Sequence, residues 1–280
     1  MILVVTSSED IASMNIRERL LTLAKWDCGG SFQGAEALVH DSLHMILIDV
    51  PHLEADGLDA KFRDDHGAPP KLVVFASRHR SQSGKATLTV HPIGNYGDAD
   101  YGGKPNALVP SAPREMTFAL ARLRKHGAGL PYEIGYEATH HGPSLSTPTF
   151  YIEIGSDETR WPDPIAAEAI AKTILDLEGF ETGDAKAPIA VGIGGGHYAP
   201  RHTDAALAGL ACFGHIVPNH ALEEEPERRL GMALDATPGA QAVYFHRKAM
   251  KKPLVRELED WCGEKGVVVL RSEKGAQSQP

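Results

Sequence analysis

FYIEIGSDETRWPDPIAAEAIAKTILDLEG, residues 150–179, holds one complete strand–helix unit and decides how the rest of the chain is read. Its first six residues lack the polar alternation of a half-solvated strand, as expected where both faces of a sheet are covered. Asp163 followed by Pro164 then has the form of an N-cap and a first-turn proline. Ile165, Ala169, Thr173, Ile174 and Leu177 recur at helical spacing until Gly179 stops the run.

The same alternation extends in both directions. Apolar, β-branched runs predict strands at 2–6, 45–50, 72–76, 87–91, 133–138, 189–194, 214–217, 242–246 and 267–270. Between them, Asn15 and Glu18 have capping-box spacing for a helix over 15–25. Ser111 opens another helix, with Met116, Ala119, Leu120 and Leu123 on one face and Gly127 at its end. A further helix follows Pro253, carrying Leu254, Leu258 and Trp261. This order predicts an α/β fold, a three-layer α/β/α arrangement around a mostly parallel or mixed sheet. One catalytic domain over 1–271 is expected, with a possible internal seam at 96–113 where Gly, Pro and Asp are dense, and a disordered tail at 272–280.

Bulk properties exclude several classes. No apolar run approaches the ~20 residues of a membrane helix, and MILVVTSSED enters a strand without the basic region of a secretory signal. Cys28, Cys212 and Cys262 are scattered, which points to a reducing cytoplasm and away from a cysteine-rich zinc ribbon. Any metal would therefore be held by histidine and carboxylate. A monomer is expected. The net charge of -9 is unlike that of a general nucleic-acid binder, yet two basic clusters stand out. They are Arg78-His79-Arg80 and His246-Arg247-Lys248 with Lys251 and Lys252. Taken alone, each reads most simply as solvated surface.

Histidine placement is more telling. Six of the fourteen stand at or just past predicted strand ends: His91, His140, His141, His197, His215 and His246. Open α/β sheets bind ligands outside the carboxyl ends of their strands, and imidazoles gathered there can ligate a metal or move protons near neutral pH. VGIGGGHYAPR fails as a dinucleotide fingerprint, because His197 occupies the position of the third glycine. It reads instead as a flexible turn presenting His197, with Arg201 and His202 beyond. YEATHHGPS places two imidazoles in a turn, and with Glu137 before it and Glu153 on the next strand it suggests a His/carboxylate metal site. His215 and His220 form a possible ligand pair, either of which could be structural. His40, His44, His52, His66 and His126 are assigned to surface or packing. Neither a G-x-S-x-G elbow nor a P-loop occurs.

In order, SRHRS (77–81), VHPIGN (90–95), ATHHGPS (138–144), YIEIGS (151–156), GIGGGHYAPR (192–201), GHIVP (214–218) and YFHRKAMK (244–251) resemble the archaeal and plant type of D-aminoacyl-tRNA deacylase. The resemblance covers nearly the whole chain. It implies a zinc cofactor, a sheet of the phosphorylase and zinc-exopeptidase kind, and hydrolysis of D-aminoacyl-tRNA by a zinc-activated water. His91, His141 and His197 are then expected as metal ligands. Glu153 and His140 are expected in catalysis, with a ligand role for Glu153 left open. Arg78, Arg80, Arg201, Arg247, Lys248, Lys251 and Lys252 are expected to hold tRNA. A zinc peptidase or amidohydrolase acting on small substrates would use the same ligands. A nucleotide- or RNA-binding module with structural histidines is the non-enzymatic alternative.

Overall fold

The computed structural model describes residues 1–181, 183 and 186–271; the expected disordered tail at 272–280 lies outside the described residues. In chain order the strands are β1 (Ile2–Ser7), β2 (Asp27–Phe32), β3 (Ala35–His40), β4 (Leu43–Ile48), β5 (Leu72–Arg80), β6 (Thr87–His91), β7 (Gly94–Asn95), β8 (Ala107–Leu108), β9 (Glu133–Tyr136), β10 (Thr149–Ser156), β11 (Ile189–Ile193), β12 (Cys212–Val217), β13 (Ala242–Phe245) and β14 (Val268–Leu270). The helices are α1 (Ile11–Leu23), α2 (Leu58–His66), α3 (Pro113–His126), α4 (Pro164–Asp176), α5 (Pro200–Leu207), α6 (Pro226–Asp235) and α7 (Lys252–Lys265).

Eight strands form a mixed sheet in the order β2-β3-β4-β1-β5-β10-β6-β9. The expected α/β layering with a mixed, mostly parallel sheet is present, and a second, four-stranded parallel sheet in the order β12-β11-β13-β14 accompanies it. Strand β10 is buried along its whole length, which accounts for its unbroken apolar run. Phe150, Ile152 and Ile154 face a core shared with α1, α3 and α4, while Tyr151 faces the opposite core with Val73 and Phe75. Each large side chain buried in this way contributes about 1.5–3 kcal/mol. Helix α3 packs between the two sheets, and the far face of the second sheet is covered by α6 and α7. Segment 96–113 bridges β10 and the end of α6: β8 pairs with β7 in a separate two-stranded sheet, the Thr149 amide donates to the Pro110 carbonyl, and the Ser111 amide donates to the Ala236 carbonyl.

Helix α4 starts as expected, the Asp163 carboxylate accepting from the Ile165 amide. Helix α1 starts five residues earlier than its capping-box spacing suggests. Asp10 is the true N-cap and accepts from Ser13, whereas the Asn15 amide reaches across to the carbonyls of Trp161 and Asp163. Ser111 likewise does not cap α3, which begins at Pro113 after Ala112.

Candidate active site

One face of the large sheet gathers the candidate ligands. Because side chains alternate along a strand, Ser77 and His79 of β5 lie on the same face as Tyr151 and Glu153 of β10 and Thr89 and His91 of β6. The register sets Ser77 and Thr89 on either side of Glu153, and His91 beside Tyr151. Glu137 follows β9, its amide donating to the Val90 carbonyl. The chain then turns through His140 and His141, the latter in the left-handed region at φ 44°, a conformation a non-glycine residue holds only where its surroundings enforce it. From the second sheet, the turn after β11 passes through Gly194 and Gly195 at φ 90° and 99°, conformations open to glycine, and delivers His197. The Ala138 amide donates to the His197 carbonyl and docks the two turns together.

The imidazoles are oriented from behind. Nδ1 of His91, His140 and His141 stands 3.1, 2.8 and 2.7 Å from the carbonyls of Pro92, Ala138 and Gly142 respectively. A carbonyl only accepts, so each Nδ1 bears a proton and each neutral ring keeps its Nε2 lone pair for a ligand. One ligand atom from each of these three histidines lies within 4.8 Å of the other two. The same holds for His79, Glu137 and His197, and His91, Glu137 and Glu153 connect the two groups.

Glu137 is completely buried, with Oε2 3.0 Å from His197 Nε2, 3.4 Å from His79 Nδ1 and 3.7 Å from His140 Nε2. Glu153 Oε2 stands 3.4 Å from His91 Nε2 and 3.7 Å from His79 Nδ1. These are ion-pair distances without hydrogen-bond alignment: both Glu137 oxygens, Glu153 Oε2 and His91 Nε2 are buried with no hydrogen-bonded partner. Unpartnered buried carboxylates are costly, and a divalent cation is the group that would satisfy this set. Burial, reinforced by the neighbouring imidazoles, holds His140 well below the ordinary histidine value and His141 at about 3. Both rings are thus neutral, the form that ligates metal. For Glu137, burial pushes upward, but His197 and the surrounding imidazoles outweigh it and keep the carboxyl ionised. Neutral imidazoles at His140 and His141 with the ionised Glu137 carboxylate suit zinc. At His91 burial lowers the ring, but Glu153 and Glu137 outweigh it and raise it, so a bound ion would displace a proton there.

The cluster opens into a cavity of about 540 Å³, with Arg78 and Arg80 also in its wall. Trp161 supports that edge: its indole donates to the His79 carbonyl, and the guanidinium groups of Arg78 and Arg80 stand 5.2 and 4.9 Å from its ring.

The family model of D-aminoacyl-tRNA deacylase matches residues 66–270. A D-aminoacyl-tRNA deacylase of Methanosarcina mazei is 38% identical over 98% of this chain and 93% of its own length. That of Thermococcus kodakarensis is 37% identical over 94% and 92%. The chain belongs to the D-aminoacyl-tRNA deacylase family. A crystal structure described as a conserved protein of unknown function has the same fold, with a TM-score of 0.88, 34% identity and 98% and 96% of the two chains covered.

Within this deacylase-family fold, His91, His140, His141, His197 and Glu153 meet at one place, and Arg78 and Arg80 border it. Arg201, Arg247, Lys248, Lys251 and Lys252 do not line the cavity. Arg201 and Lys248 lie near His246 beyond β13; burial first, then their charge, lowers that imidazole. Arg247 pairs with Glu259, while among the described residues no ion pair engages Lys248, Lys251 or Lys252. His215 is structural, bonded through Nδ1 to the Thr139 hydroxyl and through Nε2 to the Val109 carbonyl. His220 is exposed. His79 belongs to the cluster although its sequence context assigns it to a basic surface. Its place opposite Gly155 leaves room for the ring, since a Cβ there would fall 2.8 Å from His79 Cδ2. His52 does pack as expected, but in the cavity wall.

Proposed function

We propose that this protein hydrolyses the ester between a D-amino acid and the terminal ribose of tRNA, releasing both, at the His/Glu cluster loaded with zinc. The observation that carries the reading is the convergence of ligand atoms from β5, β6, the turn after β9, β10 and the turn after β11, within a chain of this family. His91, His140 and His141 would hold zinc, with His79, Glu137 and His197 able to hold a second ion. Zinc supplies Lewis acidity, polarising an ester carbonyl and lowering the pKa of water to ~7.

The protein's own groups supply the remainder. Glu153 Oε2, between His91 and His79, is placed to take a proton from the attacking water and return it to the departing ribose oxygen. As the acyl C–O bond breaks, the ribose oxygen takes that proton and leaves as a hydroxyl, so no serine or cysteine nucleophile is required. Arg78 and Arg80 offer guanidinium groups to phosphates at the cavity edge. The exposed Lys248, Lys251 and Lys252 past β13 would add phosphate contacts outside the cavity on a chain whose net charge is -9.

Alanine at His141 or His197 should reduce bound zinc and turnover together while circular dichroism stays native. Glu153→Gln should depress turnover by about two to four orders of magnitude with zinc retained. Near-normal turnover in Glu153→Gln removes that residue from the mechanism. Undiminished zinc in His197→Ala removes His197 from the site.

A further inference from the structure

The cavity has a second polar wall, facing the cluster across Tyr151. His52, in the turn after β4, is 4% exposed, and its ring lies 6.0 Å from that of Tyr151. On the other side, Tyr151 meets His91 at 5.3 Å and His141 at 4.9 Å. A chain of hydrogen bonds sets the tautomer that a neutral His52 adopts. The Asp10 carboxylate accepts from the amides of Ser13 and Arg78, and its Oδ2 accepts the Ser77 hydroxyl at 2.9 Å. With that proton committed, the Ser77 oxygen accepts from His52 Nδ1 at 3.2 Å. The neutral ring is therefore the Nδ1–H tautomer, with an acceptor lone pair on Nε2. His52 Nε2 and the Tyr151 hydroxyl are both buried without a hydrogen-bonded partner, and both residues line the cavity. Glu9 and Asp10 line the same side. This wall thus offers two unpartnered acceptor atoms beside the carboxylates of Glu9 and Asp10, with the Arg78 guanidinium held on the Glu9 carbonyl at its rim.

We infer that His52 Nε2 and the Tyr151 hydroxyl bind the α-ammonium group of the aminoacyl substrate, with Ser77 and Asp10 as positioning residues. The inference rests on the deacylase reading, since it specifies how the acyl group lies at that site. With the carbonyl at the cluster and the ammonium at His52, two substituents of the substrate's Cα are fixed. The side chain and the hydrogen must then occupy opposite places, and exchanging them is what separates D from L.

The test compares tRNA charged with D-alanine and with D-lactate, which carries a hydroxyl in place of the ammonium at nearly the same size. His52→Asn keeps a donor to Ser77 and removes the unpartnered Nε2, so the fold should be preserved. Hydrogen bonds to charged groups are worth about tenfold to a hundredfold in binding. The alanyl-to-lactyl ratio of kcat/KM should fall by that factor in His52→Asn, and His52→Gln, which restores a polar group near Nε2, should recover part of it. Ser77→Ala should lower the ratio by a smaller factor. The ratio is independent of the fraction of active protein, so partial misfolding does not mimic the result. An unchanged ratio, with both substrates slowed equally or not at all, overturns the assignment of His52 and leaves the deacylase reading standing. Wild-type protein that hydrolyses neither substrate overturns both.

Discussion

Glu137→Gln isolates the most buried charge of the cluster. Glu137 offers two carboxylate oxygens and has three imidazole nitrogens within 4 Å of one of them, yet neither oxygen is hydrogen-bonded. Glutamine keeps the shape, removes the charge and leaves one weak ligand oxygen. Even groups that only support a metal ligand cost about 10–100-fold in affinity when changed, so a lost ionised ligand should cost about a hundredfold or more. At free zinc 100 times the wild-type Kd, metal binding stabilises the wild type by about 2.7 kcal/mol and the variant by about 0.4 kcal/mol. For a chain of this size about 2–4 °C corresponds to 1 kcal/mol. Zinc at the His79, Glu137 and His197 group should therefore raise the wild-type Tm by about 5–11 °C and that of Glu137→Gln by about 1–2 °C, beyond the shift from zinc at His91, His140 and His141 that the substitution leaves in place. Calorimetry of chelated and zinc-loaded protein measures both shifts. Each shift is a difference within one protein, so any effect of the substitution on the metal-free fold cancels. A full zinc shift in Glu137→Gln, or none in the wild type, would refute the assignment of Glu137 as a metal ligand.

Neutralising Lys251 and Lys252 together should raise KM for charged tRNA, flatten its dependence on salt and spare hydrolysis of a small D-amino-acid ester; equal loss on both substrates would place these lysines in support of the fold. Tyr151→Phe removes a buried hydroxyl without a partner, so the urea midpoint should stay level or rise, corresponding to about 1 kcal/mol at most, while turnover falls. Burial would raise the Asp10 carboxyl, but His52 and the amides of Ser13 and Arg78 outweigh it and hold the group below its ordinary value. Asp10 should thus stabilise the fold above about pH 4 and lose that contribution as pH falls through its lowered folded-state pKa, so denaturant midpoints of wild type and Asp10→Asn should converge in acid.

The α/β alternation was readable because its strands are buried on both faces and several helices carry explicit caps, as Asp163-Pro164 does for α4. Hairpin β2–β3 was not: Asp27–Phe32 is largely exposed and contains Gly29 and Gly30, so it lacks an apolar pattern. The cap of α1 was misplaced because Asn15 and Glu18 match a capping box that the fold does not use; Asn15 instead ties α1 to the start of α4. Strand-end position found His91, His140, His141 and His197. It failed for His215, which serves a buried hydrogen-bond network, and for His246, which lies at the second sheet. His79 was hidden between two arginines in SRHRS. Extending the strand predicted at 72–76 by four residues would have placed His79 on the face of Phe75 and Ser77, with both arginines on the other. His52 offered no pattern of its own. Its relation to Ser77 and Asp10 exists only after β1, β4 and β5 pair.

Release of the amino acid from tRNA charged in parallel with D- and L-tyrosine distinguishes a zinc-dependent deacylase that selects D-aminoacyl-tRNA from every alternative reading of this site. D-tyrosine should be released rapidly and L-tyrosine slowly, with the D activity lost after chelation and restored by zinc. Equal release of both enantiomers, or D activity untouched by thorough chelation, would contradict the deacylase reading.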